Sequence, residues 1–446
     1  MWSLSAMTIT GPGDRAREAQ PLERRLVEAF VVVVLPLHML VPTVAGWLMV
    51  LAALRGLVVL VRRPSFEPLD RLYLVACAAI PAAYVLNMAL AGWAFSWLHR
   101  PAHLLFTGGL VFLWIGRVGL SERALFRAVV LASFTALGIA LFDVLVHGSA
   151  RVFGWRNQWN AVPFGNFSLL LGFLAFAGCI GPMLAGTQER ARVALGLSAT
   201  AAGILASILA GTRGGWLAIP VLLGLTFWSA LRTYRGRVLS SWHFLPALGA
   251  MLVFVVTAIL LSENAQHRID IAVEQVEAFL DGTASRDSID SSTELRLEMW
   301  RWGLEKAAER PLTGVGLANY DEARRQAVES GRMPAAFAGL ANLHNELISS
   351  LALGGVPTAL AVIAFWMLMG SLFVRRIGEK EVFFFATSGL LVIAGTCIFS
   401  MTEGLFGTSA GTKALALLLA IPAGALRYRA ALRVTAGAAT KVDRGR

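Results

Sequence analysis

Apolar runs of membrane-spanning length follow one another from residue 26 to 262, stop, and resume from 346 to 426. A run of about 20 apolar residues is what an α-helix needs to cross a bilayer. On that basis the pattern predicts an all-α polytopic membrane protein with twelve spans. They fall at 26–41, 43–61, 72–97, 102–117, 127–146, 165–185, 193–211, 216–231, 244–262, 346–373, 382–400 and 409–426. The first two must be joined by a tight turn at Val41-Pro42-Thr43.

The stretch between the two apolar blocks is polar but patterned. Residues 267–280 place Ile269, Ile271, Val273, Val276, Phe279 and Leu280 between charges at helical spacing. After a polar break, Ser291-Ser292-Thr293-Glu294 reads as a capping box opening a helix that Pro311 stops near Arg310. Gly314-Val315-Gly316 then turns the chain into a further amphipathic helix over 319–330. The predicted organisation is a tail at 1–25, nine spans within 26–262, a partly helical loop at 263–345, three spans within 346–426 and a tail at 427–446.

Composition agrees with the pattern. The 446 residues are 57% hydrophobic and only 15% charged, with a mean hydropathy of +0.65. A net charge of +11 would suggest a nucleic-acid partner in a soluble chain, but here charge position matters more. If the N-terminus is cytoplasmic, the cytoplasmic segments hold 24 Lys and Arg against 5 in the short connectors opposite. Both termini are therefore expected inside and the long loop outside. No short apolar core with a small-residue cleavage site marks a signal peptide in 1–25. Cys77, Cys179 and Cys397 sit in apolar runs without metal or disulfide spacing.

Three features on the outer side carry candidate chemistry. Thr212-Arg213-Gly214-Gly215-Trp216 puts an arginine at the hydrocarbon edge beside two glycines that let a ligand approach backbone amides. An arginine anchoring an interfacial turn would look the same. Arg296 and Trp300 stand at i and i+4, on one face of the capped helix, which also fits a charged helix resting on lipid. His344 precedes the tenth span beside Asn345 and Glu346, and an imidazole there suits proton transfer at neutral pH or simple capping. The first two outer connectors hold no Asp or Glu, which disfavours metal-dependent transfer; no phosphate-loop or dinucleotide motif stands in a suitable context.

These motifs, taken in order, resemble the O-antigen ligase family. The set is Thr212-Arg213-Gly214-Gly215, Arg296-x-x-x-Trp300, Pro311-Leu312-x-Gly314-Val315-Gly316, and His344-Asn345-Glu346-Leu347-x-x-x-Leu351-x-x-x-Gly355, spanning roughly Pro163 to Met401. The Ala161–Asn166 segment follows the family pattern only in part. The resemblance implies a GT-C glycosyltransferase of the Gram-negative inner membrane with its active site facing the periplasm. The donor would be a glycan on undecaprenyl pyrophosphate and the acceptor a sugar hydroxyl of lipid A–core oligosaccharide. Transfer would be metal-independent and inverting, with no cofactor and no nucleic acid involved. By motif position, Arg213 and Arg296 would bind the donor pyrophosphate and His344 would act on the acceptor hydroxyl. Trp300, Asn345, Tyr320 and Asn166 would contact substrate, with Arg324 a further candidate.

An O-antigen polymerase, or a protein O-oligosaccharyltransferase, shares this donor chemistry and differs in acceptor. A lipid-linked sugar flippase would place charges along a mid-membrane path between repeated halves. Here Arg55 and Asp143 are the main candidates of that kind, and no repeat is evident. Oligomeric state leaves no mark on the sequence.

Overall fold

The computed structural model describes residues 12–62, 64, 66–149, 151–185, 189–240, 249, 253, 257, 292–340 and 342–444. Every regular element among them is helical. The chain opens with α1 (Pro12–Leu40), α2 (Pro42–Arg62), α3 (Pro68–Ala91) and α4 (Phe95–Val118). It continues through α5 (Glu122–His147), α6 (Ala161–Ala185), α7 (Arg190–Leu209), the short α8 (Arg213–Trp216) and α9 (Ala218–Ser240). The loop supplies α10 (Ser292–Glu309) and α11 (Tyr320–Glu329); α12 (Glu346–Val374), α13 (Phe383–Phe399) and α14 (Ser409–Arg444) close the chain.

Ten helical segments among the described residues are long and apolar enough to cross a membrane. They correspond to ten of the twelve expected spans. The expected first span lies within α1, which is helical from Pro12 and is not among the ten. The expected ninth span (244–262), the 267–280 helix and the Ser291 cap lie outside the described residues or within their gaps. The fourth span starts earlier than apolarity alone suggests. It opens with the segment Phe95–Ala102, about two turns long, followed by a π-helical turn at His103–Gly108. At the other end of the chain α14 runs to Arg444, through an alanine-rich stretch of high helix propensity that sequence pattern assigns to a tail.

The segments Ala161–Leu184, Lys380–Phe399 and Ser409–Arg433 are the most enclosed by neighbours, so α6, α13 and α14 form the middle of the bundle. α6 is apolar on every face, as a helix buried all round must be. It crosses α7 at Gly203, where a Cβ would stand 2.8 Å from the Gly172 Cα. Such small-residue crossings are how helices gain packing where the surroundings are equally apolar. At the end remote from His344, Arg427 of α14 donates to Asp70 at 3.1 Å, Glu67 at 3.1 Å and the Gly116 carbonyl at 3.0 Å. That network ties α3, α4 and α14 together.

The loop is fastened to the bundle through a break in α12. Gly355 takes φ 73°, ψ −174°, and Pro357 follows. Leu353 thereby loses the amide that would close its helical bond, because proline has none. The Val356 amide turns away to the Pro311 carbonyl (2.7 Å), so Ala352 also loses its donor. Both orphaned carbonyls are satisfied by the glycine turn: Val315 N–H donates to Ala352 at 2.8 Å and Gly316 N–H to Leu353 at 3.1 Å. Buried Asn87 of α3 clamps the same turn from the opposite side. Its Nδ2 donates to Thr313 at 2.8 Å and its Oδ1 accepts from Leu317 N–H at 3.1 Å.

Replacing Asn87 with alanine strands one backbone donor and one acceptor in an apolar setting. We expect Asn87→Ala to lower stability by about 1–3 kcal/mol, read as a depressed unfolding midpoint of the purified protein in detergent. An unchanged midpoint would mean that the turn is held without this clamp.

Candidate active site

The motifs that lie far apart in sequence meet at one end of the bundle. The segment before α12 places His344 at φ 48°, a left-handed conformation uncommon for a side chain larger than glycine's. Several bonds hold it there. His344 N–H donates to the Asn342 side chain at 2.8 Å, and Leu343 N–H donates to Ser349 Oγ at 3.2 Å. Trp300 Nε1 donates to the Leu343 carbonyl at 2.9 Å, so the indole of α10 supports the residue directly before His344. Asn345 caps α12: its Oδ1 accepts from Ile348 N–H at 3.1 Å, and its Nδ2 donates to the Met401 carbonyl at 3.1 Å.

The imidazole points at a residue that motif reading missed. His344 Nδ1 lies 3.3 Å from Glu403 Oε2, in the turn between α13 and α14. Glu403 is 3% exposed, so its carboxylate needs compensation from protein groups. A carboxylate accepts only, which favours the tautomer with hydrogen on Nδ1 and leaves Nε2 with a bare lone pair. Arg296, on the first turns of α10, interacts electrostatically with the same carboxylate. Burial lowers the Arg296 guanidinium from its ordinary value and Glu403 opposes that shift; an arginine stays protonated regardless.

Arg213 reaches the cluster through the neighbouring residue. The turn Thr212–Gly215 is wedged between α6 and the 400–404 segment. At Gly214 a Cβ would collide with Thr402, and at Gly215 with the Asn166 side-chain oxygen. Glycine is required at both positions for that approach. Asn166 is 2% exposed, and its Oδ1 is buried without a hydrogen-bond partner among the described residues. Thr212, also buried, meets Ser207 Oγ at 3.1 Å and fixes the turn from below. Arg213 therefore leaves a rigid turn that abuts the segment bearing Glu403.

The remaining candidates sit in supporting positions. Tyr320 is fully buried, its hydroxyl donating to the Leu340 carbonyl at 3.3 Å, and its ring packs edge-on to Trp97 and Trp302. Burial pushes its phenol well up. Arg324 donates to the same Leu340 carbonyl and pairs with Asp321 at 3.1 Å. Both brace the strand of chain that leads to His344. Glu346 is buried and accepts from Phe406 N–H at 3.0 Å, stapling the 400–408 turn to the start of α12. Among the described residues no three His, Cys, Asp or Glu side chains gather to hold a metal ion.

Glu403 left one signal in the sequence: a lone carboxylate in Thr402-Glu403-Gly404, immediately after an apolar run. Its separation from His344 follows from two intervening helices and has no periodicity to detect.

Comparison with known proteins falls on this region. Residues 198–363 match the family model described as O-antigen ligase. That segment carries an O-antigen ligase family domain. It takes in Arg213, Arg296, Trp300, His344 and the Gly355 break, and ends before Glu403. An uncharacterised protein of Haemophilus influenzae is 27% identical over 170 residues. The match covers 38% of this chain and 40% of that relative.

The Trp300 bond is a separable element of the family domain. Trp300→Phe keeps the ring and removes the N–H, leaving the Leu343 carbonyl short of its donor. The expected loss of stability is about 1 kcal/mol, seen in thermal unfolding. A variant with the wild-type midpoint would show that Leu343 does not depend on the indole.

Proposed function

We propose that this protein is an O-antigen ligase of the Gram-negative inner membrane, a GT-C type enzyme with its active site on the periplasmic side and both termini in the cytoplasm. It transfers a glycan from undecaprenyl pyrophosphate to a sugar hydroxyl of lipid A–core oligosaccharide. The observation that carries the proposal is the convergence of His344, Glu403, Arg296 and the Arg213 turn at one end of a helical bundle.

The chemistry follows from that set. Bond breaking at the anomeric carbon sends charge onto the pyrophosphate, and guanidinium groups already in place stabilise that charge more than the ground state. Arginine suits the task because its fork matches phosphate oxygens and never loses its proton. Arg213 and Arg296 take this role. The acceptor hydroxyl must lose a proton as it attacks. His344 Nε2 accepts it, while Glu403 holds Nδ1–H and offsets the imidazolium charge that forms. Attack from the face opposite the leaving pyrophosphate inverts the anomeric centre. Trp300 and Asn345 support His344 through backbone contacts, and Asn166 offers its Oδ1 beside the Arg213 turn as a donor-side contact.

The deciding experiment is glycan transfer by the purified protein with EDTA present, offering undecaprenyl-pyrophosphate glycan with and without lipid A–core. Product only with the core is the expected result. Elongated undecaprenyl-linked glycan without the core would make the protein a polymerase instead. In the same assay His344→Ala should reduce kcat by about 10²–10⁴-fold, and Arg296→Lys by about 10²-fold. Glu403→Gln should reduce it by about 10- to 100-fold while leaving the donor KM near wild type. Wild-type turnover in a folded variant would remove that residue from the mechanism.

A further inference from the structure

The two loop helices α10 and α11 face each other across an open groove of about 520 Å³. That is within the size range of sites that enclose a small ligand. One wall carries Trp302, Lys306 and Arg310, the other Glu322, Gln326 and Ser330. Each set is spaced at i, i+4 and i+8, and so lies on one side of its helix. Among the described residues no hydrogen bond or ion pair joins these two walls. Lys306 pairs instead with Glu309 of its own helix at 2.7 Å. Glu322 pairs with Arg325 and accepts from Gln326 at 2.9 Å, both on α11. The groove is therefore lined with polar groups that face an open space.

Trp302 lines the groove and is 2% exposed, packed against Tyr320 and Phe337 with ring centroids 6.4 and 5.3 Å away. Its Nε1 is buried without a hydrogen-bond partner among the described residues. A buried indole N–H normally has an acceptor, and a ligand in the groove can supply one. The lining also narrows the class of ligand. An apolar molecule would strand these polar side chains. A simple anion would compete with Glu309 for Lys306 and with Glu305 for Arg332, which also lines the groove. A sugar hydroxyl donates once and accepts twice, so it can bond a carboxylate and its paired cation side by side. Gln326 and Ser330 offer both roles too.

We propose that the groove between α10 and α11 binds an oligosaccharide segment of the glycan being joined, beyond the sugar that reacts. The glycan rests on the transfer reading above; carbohydrate binding in the groove is testable without it. Position supports the assignment. Trp302 and Lys306 follow Arg296 by six and ten residues, about 9 and 15 Å along the same helix. A chain with its reacting end at Arg296 and His344 spans that distance with its next few sugars. A contact made equally in ground state and transition state lowers KM without raising kcat. The groove thus favours longer glycans and leaves the bond-making step alone.

The test uses the full-length protein in phosphatidylcholine nanodiscs and two lipid-free probes, with binding read by saturation-transfer NMR. One probe is the glycan released from its undecaprenyl carrier, the other the core oligosaccharide released from lipid A. Ala323→Trp fills the groove, and Gln326→Ala removes one polar group at an exposed position where folding does not depend on it. The expected result is that a probe binds the wild type and that both variants raise its Kd about five- to tenfold. The substrate bearing that chain should show the same rise in KM with kcat unchanged. Cut down to its reacting sugar, it should show the raised KM with the wild type and no further change with the variants. Binding of the released glycan assigns the groove to the donor, and binding of the core oligosaccharide to the acceptor; each supports the proposal. Binding of neither probe overturns it, as do variants that bind like the wild type or that lower kcat alone. If a probe binds as expected and no acceptor supports transfer, the ligase reading fails and the groove stands. Normal transfer with unaltered variants has the opposite meaning.

Discussion

A buried carboxylate cannot stand alone, and at the His344 end of this protein much of the local structure answers to one. Glu403 is enclosed in a turn between two helices that are themselves at the middle of the bundle. Its charge is met by the imidazole of His344 from one segment and by the field of Arg296 from another. Removing one partner of a buried charged group costs several kcal/mol because the other is left uncompensated. The requirement therefore acts as a register pin. It draws the loop helix α10, the start of α12 and the turn after α13 to one point, although they are separated by long stretches of sequence. The glycines of the Arg213 turn bring a fourth segment against Thr402, next to the pin.

The second constraint is the way α12 is broken. A continuous helix from Glu346 to Val374 would satisfy its own backbone and leave the loop nothing to hold. Gly355 and Pro357 expose two carbonyls, and the Gly314–Gly316 turn supplies the two amides they lack. The loop is thus joined to the bundle by main-chain bonds, which depend on turn geometry more than on side-chain identity. Backbone departing from a regular helix inside an apolar bundle is tolerated only where protein groups restore its hydrogen bonds. Here the glycine turn restores them, and Asn87 satisfies two backbone groups of that turn from the other flank. The paired motifs are consequently one mechanical unit, with His344 about three turns of helix before the break.

Much of this was legible in the residues. Apolar runs predicted the helices, because lipid-facing and buried faces are both apolar and length alone separates spans from connectors. Glycine and proline announced the turn at 314–316 and the stop after Glu309. The convergence of Arg213, Arg296 and His344 rested on motif resemblance, and the geometry gives it a physical cause in Glu403 and Thr402. What stayed hidden was partnership. Trp300 and Asn345 look like ligand contacts in a motif, yet their polar atoms bond main-chain groups of Leu343, Met401 and Ile348. Tyr320, a substrate-contact candidate by motif position, is fully buried. Contacts between distant segments have no period, so no spacing rule reveals them.

The polar groups at the two ends of the bundle are arranged differently. Remote from His344, Arg427 binds two carboxylates and a carbonyl at once and so joins three helices. At the His344 end the polar groups are left partly open. The imidazole keeps one nitrogen unengaged by Glu403, the Asn166 oxygen has no partner among the described residues, and His344 is held in a left-handed conformation by its neighbours. Strain and unsatisfied polarity persist only where surrounding structure enforces them, and such places are where chemistry is found. A protein built solely to span a membrane gains nothing from that arrangement. The arrangement suits a site that receives a charged leaving group and a proton, as the proposed glycan transfer would demand.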